Sequence, residues 1–160
     1  MTMALASKPL SAMTERYYKV SEVPAFVPLS ESEVRRRLES GGLGGIRLST
    51  QSWRVPASAL RAIDAQLRGM PVEPPEPFGD KTFLRLQEAA KLLRIDRRHL
   101  TALIDSGAFP GAVLGKVRFI SAEFLLDLER EAVETQTLVD VQEFFLLRQV
   151  AAQNLEAVNG

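Results

Sequence analysis

Apolar residues recur at helical spacing over Leu86–Leu93, and the polar residues Gln87 and Glu88 stand in the first turn of that segment. This pattern predicts a short amphipathic helix. Asp96 is a favourable N-cap residue, and the apolar residues after it fall on one helical face as far as Gly107. Glycine tolerates the left-handed backbone that ends many helices. The segment is therefore predicted to form a helix, a turn and a second helix.

Two short runs of β-prone residues come next, at Ala112–Leu114 and Val117–Ile120. Gly115 and Lys116 lie between them, which predicts a tight β-hairpin. Ser121 is a suitable cap for a closing helix, because apolar residues follow it at helical spacing. The full predicted order is helix, turn, helix, hairpin and helix.

The preceding part of the chain repeats this pattern. Residues 22–41 align with residues 88–107 at an offset of 66, and each range begins with Glu and ends with Gly. The first copy then has two extra residues, so that Arg54-Val55 falls on Arg118-Phe119 at an offset of 64. A repeat of this kind predicts two copies of one small structural unit.

The first copy has helix and hairpin signals of its own. Ser30 and Glu33 have the spacing of a capping box at the start of its second helix. Pro28 is expected to end the preceding helix early, and Trp53 is expected to anchor the hairpin in the core. The glycine-rich run Gly41–Gly45 does not predict a phosphate-binding loop, because it does not follow a strand and lacks the Lys-Ser/Thr of that motif.

The stretch Phe83–Leu128 resembles the DNA-binding domain of the MerR/excisionase superfamily. The matching residues are Glu88-Ala89-Ala90, Leu92-Leu93, Gly107 and Arg118-Phe119. The first copy matches less closely, and it departs from the family pattern at Pro24 and Pro28. The resemblance implies a winged helix-turn-helix fold, in which the second helix enters the major groove of duplex DNA and the wing follows the minor groove.

The predicted fold class is mainly α with small β-hairpin wings, arranged as two winged helix-turn-helix domains plus a C-terminal helix. The predicted segments are domain 1 at 17–69, a Pro-rich linker at 70–80, domain 2 at 81–132 and the C-terminal helix at 133–160. An extended Pro-rich linker of this length spans roughly 30 Å, close to the ~34 Å of one duplex turn. The two domains are therefore predicted to reach adjacent major-groove segments as two linked modules.

The tail is predicted to form one helix over residues 137–158, with a wide apolar face. Its run Phe144–Leu147 is too apolar for a helix surrounded by water. Two arrangements would bury this apolar face. The helix could pack against the second domain, or it could self-associate with another copy of the chain. Self-association through the C-terminal helix is the predicted arrangement.

The 160 residues include 20 Lys or Arg and 20 Asp or Glu, and a net charge of zero by itself argues against a nucleic-acid partner. The charges are unevenly placed, however. Residues 1–70 have ten basic and six acidic side chains and residues 81–132 have nine and seven, whereas 71–80 and 133–160 are net acidic. Both predicted domains are therefore modestly basic, and their non-specific affinity for DNA is expected to be weak.

Basic residues at the start of the second helix and on the wing are the candidate DNA contacts, because Arg and Lys bind guanine and phosphate. They are Arg97, Arg98, Thr101, Lys116 and Arg118 in the second copy and Arg35, Arg36, Arg47 and Arg54 in the first. Arg118 is equally consistent with packing of its stem, and the run Arg35–Arg37 with a solvated helix face. Glu31 at the start of the first copy's second helix would repel phosphate, which leaves a protein-binding role open for that copy.

The absence of cysteine excludes thiol catalysis and zinc ribbons. No catalytic residue, metal site or cofactor is predicted, and the chain is not expected to be an enzyme. No apolar run approaches the ~20 residues that span a bilayer, and residues 1–18 lack a signal-peptide pattern. A cytoplasmic protein without a membrane partner is expected, and no small-molecule effector is evident.

The predicted function is sequence-specific binding of double-stranded DNA by a bacterial, phage or mobile-element protein. The protein would act as a transcriptional regulator or as an excisionase-like recombination factor. The alternatives are a protein-binding adapter that uses one degenerate winged helix, and a DNA-packaging factor that resembles a small terminase subunit.

Overall fold

The computed structural model describes residues 8–159. The first seven residues of the N-terminal stretch and Gly160, the last residue of the predicted tail, lie outside the described residues. The α-helices are α1 (Glu31–Ser40), α2 (Ala57–Leu67), α3 (Leu86–Leu93), α4 (Arg97–Asp105), α5 (Ala122–Thr135) and α6 (Val141–Asn159). The strands are β1 (Tyr17–Lys19), β2 (Gly45–Ser49), β3 (Ser52–Pro56), β4 (Phe83–Arg85), β5 (Ala112–Leu114), β6 (Val117–Ser121) and β7 (Leu138–Asp140). Short 3-10 helices cover Leu10–Ala12 and Val20–Ala25.

The second unit, residues 83–135, has the predicted helix, turn, helix, hairpin and helix. Arg94 ends α3 in the left-handed conformation, and the Asp96 side chain caps α4 by accepting a hydrogen bond from the Arg98 N–H. The unit has one feature that the pattern did not predict. Strand β4 precedes α3 and pairs with β6, so that the wing belongs to a three-stranded sheet of order β4-β6-β5.

The first unit, residues 17–67, has the same order of elements, with a 3-10 helix in place of α3. Strand β1 pairs with β3, as β4 pairs with β6. The Lys19 N–H donates to Glu22 Oε1 at 2.7 Å, and the Arg85 N–H donates to Glu88 Oε1 at 3.5 Å, which reproduces the offset of 66. Pro24 is the fifth residue of this short helix and lies in its last turn, beyond the first turn predicted from the sequence.

The register of the wings differs by one residue from the alignment based on sequence. Tyr18 pairs with Val55 in the first unit, and Leu84 pairs with Ile120 in the second. These pairs give an offset of 65 on the hairpin's second strand, so that Arg54 corresponds to Phe119 and not to Arg118. A shift of one residue moves a side chain to the opposite face of a sheet, and the predicted equivalence of Arg54 and Arg118 is therefore wrong.

The two units share a core and are not separate modules. Tyr17, Ile46 and Leu48 of the first unit belong to the buried cluster that is built mainly from the second unit. The segment 70–80 has no helix or strand, as predicted for a Pro-rich linker, but Pro75 is buried and the Arg16 guanidinium lies 3.8 Å from the centre of the Phe78 ring. The predicted free spacer is therefore fixed against the folded body.

A buried polar cluster joins the units. Glu129 of α5 is buried, and its two oxygens accept hydrogen bonds from Arg16 Nε at 2.9 Å and from Ser58 Oγ at 2.8 Å. Burial, reinforced by the charge of Glu129, raises the pKa of Tyr17 well above its ordinary value. An uncompensated charge at this depth is costly, so the cluster requires the units to keep this arrangement.

An ion pair between Glu22 and Arg94 links the units at a second place. Partial burial opposes ionisation of Glu22, but hydrogen bonds from Arg94 and from the Lys19 N–H outweigh it and lower the pKa of this carboxyl. The ionised Glu22 carboxylate therefore contributes fully to stability at a pH above the ordinary pKa of a glutamate. This contribution is lost as the pH falls through the lowered pKa of Glu22.

The predicted helix over residues 137–158 begins later than expected. Gln136 ends α5 in the left-handed conformation, and Leu138–Asp140 forms β7, which pairs in parallel with β2 of the first unit. The Asp140 side chain then accepts a hydrogen bond from the Glu143 N–H at 3.0 Å and starts α6 at Val141. No helix among residues 8–159 is both long and apolar enough to cross a membrane.

Candidate nucleic-acid interface

The first turn of α4 presents a cluster of basic side chains to solvent. Arg97, Arg98 and His99 are all exposed, while Leu100 on the opposite face is buried in the core. The Thr101 hydroxyl donates to the Arg97 carbonyl at 2.8 Å, so this residue faces the helix backbone in the free protein. The helix therefore exposes its N-terminal, basic end, where the helix dipole also favours an anion.

The wing of the second unit lies beside this helix and is tied to it. Lys116 is exposed at the hairpin turn, next to Gly115, whose φ of +61° fits the tight turn predicted there. Arg118 of β6 donates from Nε and Nη2 to the two carboxylate oxygens of Asp105 at the end of α4, each at 3.0 Å. A bidentate pair of this kind fixes the guanidinium in one orientation. Arg118 therefore couples the wing to the helix, a role that neither sequence-based interpretation included.

A shallow groove of about 430 Å³ runs between the helix and the wing. All five candidate residues of the second copy line it, together with two exposed polar residues that the sequence analysis did not select. These two are Arg85 and Gln87. A basic residue precedes the opening helix in both copies, at Lys19 and Arg85, and this recurrence was the available signal.

The candidate residues of the first copy do not come together in the same way. Arg35 and Arg36 are exposed on α1, and the Arg35 guanidinium lies 5.2 Å from the centre of the Trp53 ring. Trp53 is partly buried and packs against the first unit's own core. The start of α1 carries Glu31 in place of Arg97, so this helix lacks the basic end of α4.

Two predicted contacts of the first copy face groups of the same chain. Arg54 is only 7% exposed, and its guanidinium donates to the carbonyl oxygens of Trp53, Leu93 and Arg94. Burial lowers the pKa of Arg54 from the usual arginine value. Arg47 Nε lies 3.8 Å from a carboxylate oxygen of Asp140, which follows from the pairing of β7 with β2. Arg54 therefore cannot contact DNA, and its prediction as a DNA contact is wrong. Arg47 faces an acid of the same chain.

The described residues contain no group of three or more His, Asp or Glu side chains arranged to hold a metal ion.

Comparison with protein families identifies part of the chain. Residues 83–130 match a family model described as a helix-turn-helix domain. The match covers the second unit and confirms the helix-turn-helix predicted there, whereas the first unit is not matched. No curated protein and no solved structure matches the chain.

Proposed function

We propose that this protein binds double-stranded DNA in a sequence-specific manner through its second unit. The observation that carries the proposal is the groove between α4 and the wing, in which four arginines and a lysine converge within a matched helix-turn-helix domain. A nucleic-acid partner explains why these like charges are gathered on one exposed surface of a chain without net charge.

In this proposal α4 enters the major groove with its first turn toward the bases. Arg97 and Arg98 are free to extend, and an arginine bound bidentately to guanine contributes about 1–3 kcal/mol of discrimination. Lys116 reaches the phosphate backbone or the minor groove from the hairpin turn. Arg118 stays paired with Asp105 and positions the wing. Arg85 and Gln87 extend the contact along the backbone.

The biological role proposed is that of a MerR-like transcriptional regulator or an excisionase-like recombination factor. Both roles require a small protein that recognises a duplex site and performs no chemistry on it. We accordingly propose a binding protein that acts without enzymatic activity, cofactor or small-molecule effector.

We propose a different role for the first unit. Glu31 occupies the position of Arg97, Arg54 is buried, and Arg47 faces Asp140. These three observations favour a degenerate winged helix that supports the second unit and presents a surface to a protein partner. The exposed Arg35 and Arg36 add general attraction for DNA or for an acidic protein.

The experiment is a salt titration of binding to duplexes selected from a random-sequence pool. The slope of the logarithm of the association constant against the logarithm of the salt concentration should be negative. Each phosphate neutralised should make this slope steeper by ~0.9. A selected duplex should bind more tightly than a scrambled duplex of the same length at every salt concentration. Binding that is absent, or indifferent to salt, would refute the proposal.

Self-association through α6 is the remaining part of the proposal. Phe144 and Phe145 pack against Phe124, each at 5.9 Å between ring centres. Beyond them every residue from 146 to 157 is exposed, including Leu147 at 62%. A helical segment of about 12 residues is marginal on its own in water, so pairing with a second α6 would stabilise it.

We expect the double variant Leu147→Gln and Val150→Gln to lower the self-association of the chain and the helical circular-dichroism signal. The physical reason is that both side chains lie on the exposed apolar stripe. Sedimentation equilibrium measures the first effect. The matched control, Gln149→Ala with Gln153→Ala, changes exposed polar positions of the same helix and should leave the mass unchanged. An unchanged mass in the Leu147 and Val150 variant would rule out pairing through α6.

A further inference from the structure

Arg54 extends from the outer face of the first unit's sheet, which is the face opposite the core that Val55 helps to fill. Its side chain is buried and reaches the second unit. The Nε group donates to the Leu93 carbonyl at 2.7 Å, and Nη2 donates to the Arg94 carbonyl at 2.8 Å. Carbonyls at the end of a helix have no partner within that helix. The first unit therefore supplies a cap for the end of α3.

Arg94 itself has a strained backbone. It ends α3 in the left-handed region, with a φ of 57°, and a residue with a Cβ is disfavoured there. Such a conformation persists where the surroundings hold it. Here the Arg94 carbonyl accepts the bond from Arg54, and the Arg94 guanidinium pairs with Glu22 of the first unit. Both restraints on this residue come from the first unit.

The strained turn is the place where the direction of α4 is decided. Only Arg94 and Ile95 separate α3 from the N-cap residue of α4, and Arg97 begins that helix. A change of backbone angle in so short a turn would rotate α4 relative to α3. The other end of α4 is tied to the wing by the pair of Asp105 and Arg118. Helix α4 is thus held at its start by the first unit and at its end by its own wing.

We propose that Arg54 and Glu22 are positioning residues for DNA recognition, because they hold the turn that sets the angle at which α4 meets the bases. The inference rests on the proposed DNA binding by the second unit. It gives the first unit a part in sequence discrimination without any contact to DNA. Base readout requires hydrogen bonds of defined geometry, whereas attraction to phosphates does not depend on sequence. Loss of either residue should therefore lower the preference for a selected duplex rather than the general affinity.

Glu22→Gln is the first variant, because it removes the charge that holds Arg94 but keeps an oxygen that can accept from the Lys19 N–H. The variant chain is more positive, so general electrostatics alone predicts tighter binding to any duplex. We expect the opposite for a selected duplex, namely a fall in affinity of roughly 3-fold to 10-fold. Affinity for a scrambled duplex of the same length should not fall. Fluorescence anisotropy with labelled duplexes measures both.

Glu33→Gln is the matched control. Glu33 caps α1 as Glu22 caps the 3-10 helix of the same unit, since the Ser30 N–H donates to Glu33 Oε1 at 3.2 Å. Within residues 8–159 the described hydrogen bonds of the Glu33 carboxylate are all with Ser30. The control therefore has the same change of charge and a similar local role, but it leaves the turn before α4 intact. It should keep the preference of the unmodified protein.

Arg54→Lys tests the second positioning residue without changing the net charge. A lysine donates from one nitrogen and cannot bridge neighbouring carbonyls as a planar guanidinium does. We expect the preference for the selected duplex to fall roughly 10-fold, while the affinity for the scrambled duplex stays the same. Thermal unfolding followed by circular dichroism checks that each variant is folded at the temperature of the binding assay. If Arg54→Lys does not fold, Glu22→Gln decides, because its ion pair is only partly buried.

The positioning role alone is overturned if the unmodified protein prefers the selected duplex and Glu22→Gln keeps that preference in full. An equal loss of affinity for both duplexes in folded Arg54→Lys would also overturn it, since a merely structural contact would act in this way. If the unmodified protein does not bind duplex DNA, the proposed function and the positioning role fail together.

Discussion

Replacing both Arg97 and Arg98 with alanine is expected to weaken binding to a selected duplex at least roughly 30-fold and to abolish its preference over a scrambled duplex. The reason is that these two side chains occupy the exposed first turn of α4 and lack a carboxylate partner among the described ion pairs. Each bidentate arginine–guanine contact is worth about 1–3 kcal/mol, so the loss of two corresponds to roughly 30-fold to 10⁴-fold. Fluorescence anisotropy with labelled duplex measures the change.

The matched control removes the same charge elsewhere. Arg61→Ala with Arg68→Ala takes two exposed arginines from α2 and its end, away from the groove. General electrostatic attraction falls equally in both double variants, so only a contact at α4 separates them. Equal losses of affinity in the two double variants would place the binding surface outside the groove. If the Arg97 and Arg98 variant binds the duplex as tightly as the unmodified protein, the result would favour the adapter role for the whole chain.

The second unit was predictable because its signals are local. Asp96 caps α4, Gly107 follows the end of that helix, and Gly115 forms the wing turn, each within a few residues of the element that it defines. The candidate residues of this unit converge in one groove for the same reason. Once the helix and hairpin are placed, the position of Arg97, Arg98 and Lys116 on their exposed sides follows from periodicity alone.

The errors concern contacts between residues that are distant in the sequence. Arg54 is buried because the second unit covers the outer face of the first sheet, and nothing near Arg54 in the sequence indicates this. The strand Leu138–Asp140 exists because β2 offers it a free edge, so its conformation depends on a partner almost 100 residues away. The sequence predicts a helix for this segment because periodicity alone does not distinguish a buried strand from a helix over three residues.

The glycine run at 41–45 shows how such a long-range contact uses an otherwise unexplained sequence feature. The Gly42 N–H donates to the Gln136 carbonyl at 2.8 Å, and the Gly45 N–H donates to the Thr137 carbonyl at 2.9 Å. The backbone of the first unit thus bonds directly to the backbone that leaves α5. A side chain at Gly44 would hold the two segments apart.

We expect Gly44→Ala to lower the free energy of unfolding by about 3 kcal/mol, near the upper end of the range for overpacked sites. A Cβ at this position would lie 2.2 Å from the Ala132 carbonyl oxygen and 2.8 Å from its carbon, and backbone atoms cannot turn aside as a flexible side chain can. The loss corresponds to a fall of about 10 °C in the melting temperature for a protein of this size. Thermal and urea unfolding followed by circular dichroism measure both quantities.

Gly69→Ala is the control for this substitution, because it separates steric contact from backbone strain. Gly69 has a φ of +68° and no atom within 4 Å of the added Cβ, so alanine there costs only the roughly 1 kcal/mol of a left-handed residue. The Gly44 backbone is outside the left-handed region, so its cost comes from the contact with Ala132 alone. If the two variants unfold with equal free energies, the close packing of α5 on the first unit is wrong.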